Sequence, residues 1–345
     1  IYSDKIYEKA LENFQKLKDS VPYAQDNTPN FFIYKFKMGE HVQFGIAALA
    51  SVKDYENNKI KKHEKTRKDK EDYRTRHILK IRSHSGPVLF TYNDDPQIDA
   101  IVAKTVSENK PFIDFTAENG VVNVLLRLND GRIEKLFSKI PAFYIADGHH
   151  RAASAARAAK QINASDEKAG SNYFIAAAFP ASQMKILPYN RLLKNFNGKN
   201  EKEFINFMKK EFEYICEGVS SQSKNGQIAV FIKNKWLLFS IDKCKDKTKS
   251  PQENLDAAIL QDKILSPFFG IQDPRTDKRI DFVGGIRGTK YLEDAVKKKE
   301  AAAAFSMFPV SVKEIMNISD TDGIMPPKST WFEPKLRDGL LLDEF

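Results

Sequence analysis

The sequence has two cysteines in 345 residues, Cys216 and Cys244. They are too few for a disulfide framework and too isolated for a cysteine zinc site, so reduced thiols are expected. No apolar run approaches the roughly 20 residues that a membrane-spanning helix needs. The opening Ile1-Tyr2-Ser3-Asp4-Lys5 has no signal-peptide pattern, and the expectation is a cytoplasmic protein without a membrane partner. Walker and dinucleotide-binding glycine fingerprints are absent, and no internal repeat recurs. The chain begins with Ile rather than Met, and helix-like sequence follows at once, so a further N-terminal segment is expected upstream.

What is there reads as an ordinary folded protein. Hydrophobic residues make up 41% and charged residues 29%, a balance that argues against global disorder. Lys plus Arg exceed Asp plus Glu by 55 − 46 = 9, which permits an anionic partner. Because the excess is mostly scattered lysine, nucleic acid is disfavoured as that partner. The length implies two or three lobes. Apolar spacing predicts a helix over 6–17, a hairpin of strands 31–38 and 43–52 about Gly39-Glu40, and a charged helix over 61–76. Further strands are expected at 88–92, 112–115, 121–128, 173–179 and 184–187, and helices at 98–106, 133–140, 201–212, 253–264 and 290–298. The fold class is therefore mixed α/β. It is divided into a first part, 1–165, that holds the most chemical motifs, and a second α/β lobe, 166–345.

The most informative run is Phe143-Tyr144-Ile145-Ala146-Asp147-Gly148-His149-His150-Arg151. An apolar strand stops at Asp-Gly and an alanine-rich helix follows. The first N–H groups of a helix lack internal partners and carry partial positive charge, which suits a phosphate. Gly148 lets the backbone approach such a ligand, Asp147 is placed to cap the helix, His149 and His150 offer donors, and Arg151 offers a planar fork. No metal site is expected from the two histidines, since adjacent helical side chains diverge by about 100°. Magnesium brought in by nucleotide phosphates would leave little trace in sequence.

Other residues are less specific. His63-Glu64 opens the charged segment with Arg67 just beyond. There Glu64 is either an ionised proton acceptor or one half of an exposed i, i+4 pair with Lys68, and spacing alone favours the pair. Arg191 is read as standing just after a strand, either as a clamp for a phosphate or carboxylate or as a surface arginine. Asp273-Pro274-Arg275 and Gly284-Gly285 look like turns. In Met325-Pro326-Pro327-Lys328-Ser329-Thr330-Trp331-Phe332-Glu333-Pro334-Lys335, the cations and hydroxyls of Lys328, Ser329, Thr330 and Lys335 accompany two aromatic residues, a mixture that favours a packed loop near the site over a solvated tail.

At Ala146-Asp147-Gly148-His149-His150-Arg151 the chain resembles the ParB-like nucleotide-binding superfamily, which includes ParB partition proteins, sulfiredoxin and the free-serine kinases. Over nearly its whole length it also resembles a broad family of uncharacterised bacterial and archaeal proteins. The supporting runs are Lys61-Lys62-His63-Glu64-Lys65-Thr66-Arg67, Arg275-Thr276-Asp277-Lys278-Arg279-Ile280-Asp281-Phe282-Val283-Gly284-Gly285 and Met325 to Phe332. The resemblance implies a ParB/sulfiredoxin-like core with large α/β insertions. The serine kinases carry a His-Glu pair ahead of a similar turn, its glutamate the base, so the resemblance makes Glu64, with His63, the preferred catalytic pair. It implies phosphate binding by Asp147 to Arg151, with acceptor binding by Arg67, Arg191, Lys328, Ser329 and Thr330. The implied chemistry is phosphate transfer from ATP or ADP, with Mg²⁺, to a small hydroxyl compound such as free L-serine. A non-catalytic nucleotide-binding regulator is the alternative. Sulfiredoxin chemistry is disfavoured because His149 stands where its reactive cysteine would be. A partition role is disfavoured because Asn172-Tyr173-Phe174-Ile175 opens a strand where a helix-turn-helix would follow. The reading leaves room for a homo-oligomer.

Overall fold

The computed structural model describes residues 3–21, 23–26 and 29–345. Ile1 and Tyr2, on which the expectation about the chain start rests, lie outside the described residues. Contacts divide the chain into two units, one of Ile1–Met184 with Pro334–Phe345, the other of Lys185–Glu333. The division falls after Met184, whereas the sequence reading placed its boundary after residue 165.

The first unit contains α1 (Asp4–Ser20), β1 (Phe31–Met38), β2 (His41–Ser51), α2 (Val52–Glu56), β3 (Ile60–Lys61), α3 (Lys68–Ile81), β4 (Ser83–His84) and β5 (Val88–Tyr92). It continues through α4 (Pro96–Glu108), β6 (Ile113–Thr116), β7 (Val122–Leu128), α5 (Ile133–Ser138), β8 (Phe143–Asp147), α6 (His149–Ile162) and β9 (Tyr173–Pro180). Eight strands form one mixed sheet in the order β3-β8-β5-β9-β2-β1-β7-β6. The β1–β2 hairpin turns at Gly39-Glu40, as its sequence predicts, with Gly39 at φ 59° and Met38 opposite His41. Helix α6 sends Ala152, Ala155, Ala156 and Ala159 into the core of this unit. Alanine combines high helix propensity with a side chain short enough for close approach.

One expectation is corrected here. The basic run is not helical from residue 61. Ile60 and Lys61 instead pair in parallel with Phe143 and Tyr144, residues 62–67 are a loop, and α3 begins at Lys68 with Arg67 as its N-cap residue. Glu64 and Lys68 therefore do not share a helix face. The physical cause is tertiary, since the N–H groups of His63 and Arg67 are claimed by histidine rings of α6. Helix α3 is then fastened to α6 by Arg157, which donates to Glu71 at 3.1 Å and also pairs with Asp72.

The second unit contains β10 (Lys185–Leu187), β11 (Tyr189–Leu193), α7 (Glu201–Glu211), β12 (Glu213–Glu217), β13 (Gln227–Ile232), β14 (Lys235–Ser240), α8 (Asp256–Leu260) and α9 (Ser266–Phe269). After these come β15 (Ile280–Gly284), α10 (Gly288–Lys297), β16 (Ala303–Met307), α11 (Val312–Asp320) and β17 (Trp331–Glu333). Six strands form an antiparallel sheet, β12-β14-β13-β16-β11-β15. Side chains alternate between its two faces. Ile228, Val230, Leu237 and Phe239 enter one core with α7 to α9, while Ala229, Phe231, Trp236 and Leu238 enter another with Leu292 and Ala295 of α10. Burial on both faces explains why these strands read as continuous apolar runs. The expected helix over 253–264 is broken by a π-helical turn, Gln261–Leu265, between α8 and α9. Helix α7 opens with a capping box in which Asn200 Oδ1 accepts from Glu203 N–H at 3.0 Å and Glu203 Oε2 accepts from Asn200 N–H at 2.7 Å. Asn200→Ala is expected to lower unfolding stability by about 1 kcal/mol, read by denaturant titration.

The Pro-rich tail is packed. Met325, Ser329 and Phe332 are buried, and β17 pairs with β10. Gly284 lies under Trp331, where a Cβ would come within 2.6 Å of the indole. Close approach, rather than turning, is what this glycine provides. The chain then rejoins the first unit, where β18 (Asp343–Glu344) pairs with β4.

Among the described residues no helix is long and apolar enough to cross a membrane.

Candidate functional site

The site of the first unit is built where β8 passes into α6. Tyr144, Ile145 and Ala146 are buried in the sheet, and the chain turns at Gly148, whose φ of 99° belongs to the left-handed region. A Cβ there would also lie 2.8 Å from Arg151 Nε. Gly148→Ala is therefore expected to cost about 1–3 kcal/mol of stability, measured by denaturant titration, because strain and crowding add at one atom.

Gly148 is the N-cap residue, no side chain caps α6, and its first turn holds no acidic residue. This corrects the expectation that Asp147 caps the helix. The Asp147 carboxylate instead receives Arg151 Nη2 at 3.3 Å and lies 3.9 Å from Lys335 Nζ. Arg151 Nη1 lies 3.7 Å from Asp338 Oδ1, and Arg151 Nε is buried without a hydrogen-bond partner among the described residues. The uncapped helix end is thus edged by two cations, each placed by a carboxylate.

His149 and His150 both turn toward the 62–67 loop. His149 Nε2 accepts from His63 N–H at 3.4 Å, and His150 Nε2 accepts from Arg67 N–H at 3.0 Å. Each ring must then carry its proton on Nδ1. His149 Nδ1 lies 3.8 Å from Glu64 Oε2, so the donor side of a buried neutral imidazole faces the glutamate. Burial, reinforced by His63, His150 and Lys62, holds the His149 pKa well below its ordinary value.

The His63 ring packs edge-on against that of His149 at 4.4 Å, is 1% exposed, and has neither nitrogen hydrogen-bonded among the described residues. Burial lowers its pKa to about 4 despite Asp147 nearby, so it is neutral. An unpartnered buried donor or acceptor costs about 1–3 kcal/mol, and such a group ordinarily has a functional explanation.

Arg67 is exposed and forked onto Asp69, at 3.1 and 2.9 Å. Arg191, Lys328, Ser329 and Thr330 belong to the second unit. There Arg191 lies within β11 rather than just beyond a strand, and its Nη2 donates to Lys328 O at 3.2 Å. The Ser329 hydroxyl donates to Pro326 O at 2.8 Å, while Thr330 precedes β17. Sequence reasoning missed Asp338 and counted Lys335 only among the cations of the tail. Both reach the turn because the chain returns to the first unit after Glu333, an event without a local signal. Among the described residues no group of three or more His, Cys, Asp or Glu side chains is arranged to hold a metal ion.

The family model described as "Protein of unknown function (DUF1015)" matches residues 2–258. The chain belongs to the DUF1015 family. The DUF1015 match spans both the His63-Glu64 loop and the Asp147–Arg151 turn. No curated protein matches the sequence. Among solved structures, this DUF1015 protein is similar to a free serine kinase in complex with AMP, at 13% identity and TM-score 0.40, over 92% of this chain and 95% of that one. It is similar to SbnI with a C-terminal truncation from Staphylococcus aureus, at 12% identity and TM-score 0.44, over 86% and 87%. A conserved hypothetical protein from Pyrococcus furiosus aligns at 14% identity and TM-score 0.38, over 85% and 94%.

Proposed function

We propose that the first unit binds a nucleotide at the N-terminus of α6 and transfers a phosphate to a small hydroxyl compound, with free L-serine the leading acceptor. One observation carries this reading. The bond from His63 N–H to His149 Nε2 joins two motifs 86 residues apart and sets the Glu64 carboxylate 3.8 Å from His149, beside an uncapped helix end with Arg151 at its rim. Phosphoryl transfer needs little covalent chemistry from the protein beyond positioning and charge neutralisation.

In this reading the N–H groups of Gly148, His149 and His150, with Arg151, hold phosphate oxygens, and Lys335 adds a second cation. Glu64 accepts or orients the acceptor's hydroxyl proton. The rings of His149 and His150 fix the loop that carries it, and the buried His63 ring backs His149. ATP or ADP serves as donor. Mg²⁺ keeps much of its water and needs only one or two carboxylates besides phosphate oxygens. Asp147 at the turn, its carboxylate shared with Arg151 and Lys335, would hold it, and the ion would supply charge neutralisation on the phosphates.

The test is to incubate the protein with ATP or ADP, Mg²⁺ and L-serine and look for phosphoserine by mass spectrometry. Formation of phosphoserine supports the reading. Normal nucleotide binding without phosphoserine removes the serine-kinase reading and leaves a nucleotide-binding regulator.

A further inference from the structure

The second unit contains a buried charge that the proposed reaction does not use. Arg191 stands in the middle of β11, between β15 and β16, and is 4% exposed. Among the described residues it has no carboxylate partner. Its guanidinium is held by two main-chain carbonyls, those of Tyr189 and Lys328, and lies 5.3 Å from the centre of the Phe282 ring. Burying an ion with only neutral partners costs several kcal/mol. Carbonyls on two sides also fix the plane of the fork, so the remaining donors point in set directions.

Arg191 lines a cavity of about 350 Å³ whose other residues all belong to this unit, a size within the range for small-molecule sites. Two motifs conspicuous in the sequence meet at its wall, Asp273-Pro274-Arg275 and Pro326-Pro327. Arg275 is forked onto Asp273 at 2.9 and 2.8 Å, so that pair is neutral and the cavity's uncompensated charge is the single positive charge of Arg191. One negative charge balances it, which fits a carboxylate better than a phosphate near −2.

Gln261 lines the same cavity at the start of the π-helical turn, a local geometry frequent at functional sites. Its Nε2 donates to Ile271 O at 2.7 Å, while its Oε1 is buried and has no hydrogen-bond partner among the described residues. The cavity is thus lined by one cation without a carboxylate partner and by a glutamine whose buried amide oxygen lacks a hydrogen bond, with proline and phenylalanine walls.

We infer that this cavity binds a small α-hydroxy acid, its carboxylate on Arg191 and its hydroxyl donating to Gln261 Oε1. The assignment rests on the second unit alone and stands whether or not the first unit transfers phosphate.

The experiment is isothermal titration of the full chain, without nucleotide, with L-serine, glycine, D-glycerate, acetate and inorganic phosphate, alongside thermal unfolding. D-Glycerate is expected to bind and to raise the unfolding temperature, acetate to bind more weakly, and L-serine and glycine, whose ammonium adds a second positive charge, more weakly still, with phosphate least. Gln261→Met keeps the side-chain length but lacks the acceptor. It is expected to weaken D-glycerate about tenfold, to the level of acetate, with acetate itself unchanged. Arg191→Lys is expected to weaken every carboxylate, because the planar fork is lost. The inference is overturned if D-glycerate does not bind, if phosphate or glycine binds as well as it does, or if folded Gln261→Met retains wild-type affinity for it. Because nucleotide is absent throughout, failure of phosphoserine formation leaves these outcomes unaffected.

Discussion

Glu64→Gln is expected to lower the rate of phosphate transfer about a hundredfold or more while nucleotide affinity stays within about twofold of the parent. The substitution keeps the size of the side chain and removes its ability to take a proton. The Glu64 side chain is 57% exposed, at the edge of the buried histidine pair, so the fold has little reason to respond. A general base contributes about 10²–10⁴ in rate, and this factor should appear in kcat. A residue that only helped to hold the nucleotide would raise KM instead. Equal loss of nucleotide affinity and turnover, or turnover unchanged, would remove Glu64 from the catalytic role. Calorimetry of ADP binding alongside a phosphoserine time course separates these outcomes.

The two halves of this site were unequally legible in the sequence. The β8–α6 turn was readable because its signals are local: an apolar strand, one glycine and an alanine helix lie within twenty residues. The 62–67 loop was misread as helix because its charges satisfy i, i+4 spacing. Spacing says nothing of the two imidazoles, more than 80 residues away, that take its N–H groups. Arg191 was displaced by the same kind of error. Pro188-Tyr189-Asn190 looks like a turn, yet β11 runs Tyr189–Leu193 because β15 and β16 pair with it on both sides. Asp338 was invisible, since its approach to Arg151 depends on where the last residues return. Mixed α/β architecture was legible throughout, because both periods, near 3.6 and near 2, are strong in this chain. What local pattern could not supply was pairing between distant segments, and the candidate site is made of such pairing.

That pairing sets a second large effect, a loss of stability in acid. His63 and His84 are buried, and desolvation lowers both from their ordinary value of 6.5 to about 4, with His149 also well below 6.5. For a histidine whose folded pKa is depressed, the unfolded chain binds the extra proton first. Its stabilisation is therefore complete above about pH 6.5 and is lost as pH falls toward 4. His63 and His84 should each contribute a loss of about 3 kcal/mol across that window. Protonation of His149 adds a local conflict, because Nε2 would turn a donor toward the His63 N–H that it now accepts. Asp343, opposite His84 in the β4–β18 pair, works the other way. Burial raises its carboxyl to about 7, so its contribution is complete below about 3.8 and is lost as pH rises through 7. Burial also lowers His77 and His150 and raises Asp99 and Asp256, so five histidines stand against three carboxyls, and the unfolding midpoint in urea should fall steadily from pH 7 to pH 4.5. Asp343→Asn removes one opposing group. It should therefore steepen that decline while raising stability at pH 8, where the parent must bury a charged carboxylate. A flat midpoint between pH 7 and 4.5 would mean that these imidazoles reach water or partners, and with it the neutral His63–His149 pair behind Glu64 would be lost.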